Sequence, residues 1–157
     1  LPGQFSDRAR RLLPGERLRL GELHGGALHY DPAWDARPLL FLASGTGLAP
    51  LWGLLREALR QHHSGPIRFI HLAHDSSGHY LAGPLGALAA AHPSLEVRLV
   101  TPAELPEVLA QFRLVSRQTI ALLCGHPTGV EDFARRLYLA GLPRTQLLAD
   151  SFLTRDA

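Results

Sequence analysis

Leu39-Leu40-Phe41-Leu42-Ala43-Ser44-Gly45-Thr46-Gly47-Leu48-Ala49-Pro50 decides the reading of this chain. Its apolar start suits a strand buried on both faces. Gly45-Thr46-Gly47 then reads as a turn, and Pro50 suits the first turn of a helix, where its missing N–H costs little. A second stretch repeats the pattern: Thr119-Ile120-Ala121-Leu122-Leu123-Cys124, then Gly125-His126-Pro127. A glycine turn feeding a helix N-terminus leaves N–H groups unpaired in a field that favours negative charge. Two such ends side by side on one sheet suit a dinucleotide lying across the sheet edge, with its reactive ring near Cys124.

Working outward, strand-like and helix-like segments alternate from Pro38 onward. The pattern predicts strands over Leu39–Ala43, Ile67–Ala73, Leu95–Val100, Thr119–Cys124 and Gln146–Ala149. Helices are predicted over Pro50–Gln61, with Leu51, Leu54, Leu55, Ala58 and Leu59 at helical spacing, over Pro84–Ala91 and over Pro106–Phe112. The last helix carries Val130, Phe133, Ala134, Leu137 and Tyr138 as one stripe. Thr128 and Glu131 read as its capping box, and Glu131–Arg135 and Asp132–Arg136 as pairs four apart. Gly141 and Pro143 end it. Such alternation implies right-handed crossovers and a parallel sheet with helices on both faces. The first three dozen residues differ: a helix-like stretch to Leu13, Pro14-Gly15, a strand Arg17–Leu20, and turns at Gly25-Gly26 and Asp31-Pro32.

Composition narrows the function classes. The 157 residues suit one domain, or one domain and a piece of another, and 46% hydrophobic content supplies a sizeable core. The net charge of +2 is scattered rather than striped, a weak basis for nucleic-acid binding. No apolar run reaches the ~20 residues of a membrane span. With a single Cys there is no intrachain disulfide, and a reducing cytoplasm is the simplest compartment. Lys is absent, which removes P-loop, kinase and Schiff-base lysines. Met is absent too, and a chain opening on Leu1 reads as a piece of a longer polypeptide.

Each motif has a plainer alternative. Gly45-Thr46-Gly47 is either a phosphate cradle, with Thr46 offering a hydroxyl, or a tight turn without a ligand; Pro50 replaces the third glycine of the usual fingerprint. Cys124 is either a small buried filler or a wall against a reacting ring. His71, His74 and His79 invite a metal reading, but His71 and His74 lie an odd number apart in a strand and face opposite sides, His79 lies beyond a Ser-Ser-Gly turn, and no second Cys or ligand-spaced carboxylate accompanies them, so no metal site is expected. His62-His63 reads as charge near a helix C-terminus. Asp75 follows the second strand, where a ribose-binding acid can sit. Ser44 lacks the G-x-S-x-G setting of a nucleophile elbow.

Taken together, Gly45-Thr46-Gly47-Leu48-Ala49-Pro50, Cys124-Gly125-His126-Pro127 and Asp150-Ser151-Phe152 resemble the pyridine-nucleotide domain of ferredoxin–NADP reductase-like flavoproteins, over Pro38 to Phe152. The resemblance implies a three-layer, doubly wound α/β fold, a five-stranded parallel sheet of order 3-2-1-4-5. Gly3-x-x-Ser6, Pro14-Gly15 and the strand after them resemble the end of the family's flavin-binding barrel. Residues 1–36 are thus expected to be a barrel remnant and 37–157 the NAD(P)-binding domain. The barrel's Arg-x-Tyr-Ser motif is not in this chain.

The resemblance also implies roles. Gly45, Thr46 and Gly47 would cradle the pyrophosphate, with Leu48 and Pro50 continuing that loop. Cys124, Gly125 and Pro127 would border the nicotinamide, the thiol near the carbon that gives up hydride. Phe152 would stand where nicotinamide and flavin meet, and Asp150 where many members carry Glu. Gly3 and Ser6 would lie at the flavin pyrophosphate. Asp75 and Thr101 are candidates on the other half of the dinucleotide. Thr101-Pro102 replaces the Ser-Arg of NADP-preferring members, which favours NADH unless Arg98 or Arg113 substitutes.

The expectation is therefore an oxidoreductase domain. It would bind NAD(P)H and deliver hydride to FAD in the flavin-binding domain of the same polypeptide, with electrons passing to an iron–sulfur ferredoxin or another acceptor. Alternatives are a non-catalytic nucleotide-binding or docking module, and an α/β domain with an empty cleft.

Overall fold

A computed structural model describes residues 9–19, 21–22, 26–110 and 117–152. Five strands form one parallel sheet: β1 (Leu39–Ser44), β2 (Ile67–Leu72), β3 (Leu95–Val100), β4 (Ile120–Gly125) and β5 (Leu147–Ser151). Their spatial order is β3-β2-β1-β4-β5, as the resemblance implied. Four α-helices connect them: α1 (Leu48–Arg60), α2 (Ala82–Ala91), α3 (Leu105–Ala110) and α4 (Pro127–Leu139).

Alternation along each strand sorts the core into two layers. Leu39, Phe41, Ala43, Ile67, Phe69, Leu122 and Cys124 meet Leu48, Leu51, Leu55 and Ala58 of α1 and Leu85 of α2. Leu40, Leu42, Ile70, Ala121 and Leu123 meet Val130, Phe133 and Leu137 of α4 on the other face, with Leu105, Val108 and Leu109 of α3 at its margin. Each buried Leu or Phe contributes roughly 2 kcal/mol by leaving water. β1 is the central strand and β4 lies beside it; both are buried along nearly their whole length, and their sequences are almost unbroken runs of apolar residues.

Local details depart from the sequence reading in four places. α4 starts at Pro127 with His126 before it, so Thr128 is inside the first turn and does not cap; its hydroxyl pairs with His126 Nδ1 at 2.9 Å. Proline at the first helical position overrides the capping-box signal. Arg135 pairs with Asp132 at 2.9 Å rather than with Glu131, and Arg136 shares the same carboxylate at 2.7 Å. Arg17–Arg19 belong to no strand, and Leu18 is exposed, because no neighbouring strand is there to pair with them among the described residues. Leu20, Gly25 and residues 111–116 lie outside the described residues, as do Gly3 and Ser6.

His63 is the fourth departure. It is buried rather than a charge at the helix end. Its ring lies 3.0 Å from the Tyr30 hydroxyl and 2.9 Å from the Arg37 carbonyl. Burial pushes its pKa down, against smaller opposing effects of the Arg37 carbonyl and Asp35. His63 thereby ties the segment before β1 to the end of α1. Trp34 of that segment, with Tyr30 edge-on to it, packs into the core layer under α1.

Candidate functional site

Because β1 and β4 are parallel neighbours, with Ala43 opposite Cys124, their C-terminal ends open on the same rim. The two glycine loops therefore meet. A β-carbon on Gly47 would collide with the carbonyl of Cys124 and lie 2.6 Å from the nitrogen of Gly125. Gly125, at φ +142°, has no room for one either: it would collide with the Ser44 carbonyl and lie 2.7 Å from the Ser44 β-carbon. These two positions need glycine for close approach, and at Gly125 for backbone conformation as well.

Thr46 is exposed at the tip of the first loop, while Gly45-Thr46-Gly47 form one tight helical turn running into α1. α4 begins directly after the second loop. Neither α1 nor α4 carries an acidic residue in its first turn. Two helix N-termini with neither a side-chain cap nor a first-turn carboxylate form an electropositive rim suited to a pyrophosphate. Leu48 belongs to this loop only through its backbone: its N–H bonds the Gly45 carbonyl, and its side chain is fully buried in the core. Pro50 is exposed one turn further on.

The second loop gathers the other residues. Cys124 lies opposite Asp150, and Gly125 opposite Ser151, in the β4–β5 pairing. The Phe152 N–H donates to the Gly125 carbonyl at 3.0 Å, which holds the half-exposed Phe152 at the rim. The Cys124 side chain points into the layer beneath α1 and is 0% exposed. Burial, then the Asp150 carboxylate, pushes its thiol up to about 11. It is therefore a neutral thiol at neutral pH, neither nucleophile nor base.

Beyond β2 and β3 lie the two remaining candidates. The Asp75 carboxylate accepts from the Ser77 N–H at 2.9 Å and from the Ser77 hydroxyl at 2.6 Å, and these bonds lower its pKa. One of its oxygens is thus engaged in its own turn. Thr101 is engaged similarly: its N–H and its hydroxyl both donate to Glu104 at 2.8 Å. Arg98 pairs with Glu96 at 2.9 Å.

Sequence reading missed one group at this rim. His71 of β2 is fully buried, and its Nε2 lies 3.0 Å from the Gly45 carbonyl. Its Nδ1 lies 3.1 Å from Nδ1 of His79. Of the three histidines weighed as metal ligands, His71 and His79 are the two that meet, and nothing in their spacing marks them as a hydrogen-bonded pair.

The family model of the oxidoreductase NAD-binding domain matches residues 41–136. A flavohemoprotein of Rhodopirellula baltica is 30% identical over 92 residues, which cover 59% of this chain and 22% of that protein. The ferredoxin–NAD(P)(+) reductase component of a naphthalene 1,2-dioxygenase system from Pseudomonas putida is 30% identical over 125 residues, covering 73% of this chain and 38% of that protein. The chain thus spans well under half the length of either relative. Among solved structures, a ferredoxin NADP+ reductase from Neisseria gonorrhoeae with bound FAD and NADP shares the fold at TM-score 0.72 and 20% identity, over 96% of this chain and 70% of that one. The family model spans more than half of the chain and includes both glycine loops, and the protein belongs to the oxidoreductase NAD-binding domain family.

Proposed function

We propose that this domain holds reduced nicotinamide against a flavin carried by another part of the same polypeptide, within a reductase that passes electrons to an iron–sulfur or other acceptor. The observation that carries the reading is the contact between the loops after β1 and β4, which puts an electropositive turn and the Gly125–Phe152 edge on one rim. NAD(P)H supplies the hydride and FAD accepts it. The chain's own residues bind and orient. Gly45, Thr46 and Gly47 receive the pyrophosphate through backbone N–H groups and the Thr46 hydroxyl. Gly125 and Pro127 border the nicotinamide. Cys124, beneath them as a neutral thiol, sets the height of that floor, and Phe152 covers the ring edge and excludes water. Asp150 neighbours this edge as the carboxylate opposite Cys124 on β5. Gly3 and Ser6 belong to the flavin side, residues 1–36 being the end of a flavin-binding barrel and 37–157 the nucleotide domain.

NADH is the favoured cofactor in this reading. Thr101 is committed to Glu104 and Arg98 to Glu96, so neither is poised for a 2′-phosphate. The test is anaerobic mixing of the flavin-containing polypeptide with NADH and with NADPH. Rapid bleaching of the flavin by NADH, slower by NADPH, is expected; a polypeptide without flavin would favour the docking-module reading. Cys124→Ala is expected to slow flavin reduction more than it weakens nucleotide binding, and equal losses would remove Cys124 from the hydride site.

A further inference from the structure

A fully buried imidazole is costly unless both nitrogens are satisfied. His71 sits among apolar neighbours on the α1 side of β2, and both its nitrogens have partners. The Gly45 carbonyl has no hydrogen to give, so Nε2 must be the donor. Nδ1 must then accept, which makes His79 Nδ1 the donor to it. Burial also lowers the pKa of His71 and keeps it in this neutral form. Titratable groups facing the pair include Tyr80, whose ring is 6.0 Å from that of His71, and Glu104, an electrostatic neighbour of His79.

The bond matters because of which peptide it holds. The Gly45 carbonyl also accepts from the Leu48 N–H at the start of α1. No peptide bond among the described residues is cis. In a planar trans peptide the C=O and N–H point in opposite directions. Drawing the Gly45 carbonyl inward to His71 therefore turns the Thr46 N–H outward, toward the rim.

We propose that His71 is a positioning residue for dinucleotide binding: its Nε2–H fixes the peptide plane that presents the Thr46 N–H to the pyrophosphate, and His79 fixes the imidazole tautomer that makes this possible. This rests on the reading that the Gly45–Gly47 loop receives the pyrophosphate.

The test is calorimetric titration of the 157-residue chain with NADH, alongside thermal melts and ¹⁵N spectra of the imidazoles. His71→Leu is expected to weaken NADH binding about tenfold, while His71→Gln, which keeps a donor near the Nε2 position, stays within about threefold of wild type. His79→Leu is expected to weaken binding about threefold and to blur the single Nε2–H tautomer of His71, with His79→Asn restoring both. Where His71→Leu fails to fold, the His79 pair and the tautomer decide the matter. Unchanged affinity in folded His71→Leu, or in His79→Leu, overturns the proposal, as does an Nδ1–H tautomer at His71. Wild type that binds no NADH overturns the loop reading itself, and a binding wild type with indifferent variants overturns this inference alone.

Discussion

Gly47 and Gly125 interlock: each lies where a β-carbon would strike the backbone of the opposite loop. The contact fixes the spacing of the two helix N-termini that flank the rim, so the site is built by the absence of two side chains as much as by any residue present.

Gly125→Ala should therefore lower stability by about 2 kcal/mol, or roughly 4–8 °C in Tm, because overpacking and an unfavourable φ act together. NADH affinity should fall with it. Gly53, exposed within α1 with nothing within 4 Å of where a β-carbon would sit, is the control. Gly53→Ala should raise stability by about 0.5–1 kcal/mol. Thermal melts of both variants check the pair.

His62 occupies the left-handed region at φ 56°, closing α1 as Gly141 closes α4 at φ 94°. In both places the two residues after the helix bond back to its last turn: His62 to Leu59 and His63 to Ala58, Gly141 to Tyr138 and Leu142 to Leu137. His62→Gly should stabilise the chain by about 0.5–1 kcal/mol, measured by urea unfolding.

Burial lowers the pKa of both His63 and His71. Below the ordinary histidine value of about 6.5 the unfolded chain takes up protons that the folded chain resists, so stability falls as pH falls through that value. Denaturation midpoints between about pH 6.5 and 5 should decline, and His63→Gln should flatten part of the slope. A slope unchanged in that variant would assign the effect elsewhere.

Cys124 gives the opposite sign. An unfolded thiol ionises from about pH 8.5, whereas the folded thiol holds its proton to about 11. Between these values the native state binds more protons, so stability is lost as pH rises. Tyr30 is raised in the same sense, and comparison with Cys124→Ala isolates the thiol. At pH 8 the native thiol should resist iodoacetamide and react only after unfolding.

The sheet was legible because β1 and β4 are uninterrupted apolar runs that end in glycine, and because Pro50, Gly141 and Pro143 punctuate the helices. Strand order was not written in periodicity and came from the resemblance of three motifs. That the loops at Thr46 and Gly125 would meet on one rim was legible from the two strand ends. What the sequence concealed depends on tertiary contact. Leu48 reads as part of a ligand loop yet turns its side chain into the core. His63 looks like surface charge but is drawn inward by Tyr30 and Arg37. His71 meets Gly45 only because β1 and β2 are neighbours, placing Ala43 opposite His71.

The central claim is that the loops after β1 and β4 together hold one dinucleotide. Titrating the ¹⁵N-labelled chain with NADH and following backbone amides tests it most directly. The account predicts coordinated shifts at Thr46, Gly47 and Leu48 and at Gly125, His126 and Phe152, with one shared saturation curve. Shifts confined to the opposite ends of the strands, near Leu39, Ile67 and Ile120, or no shifts at saturating NADH, would contradict it.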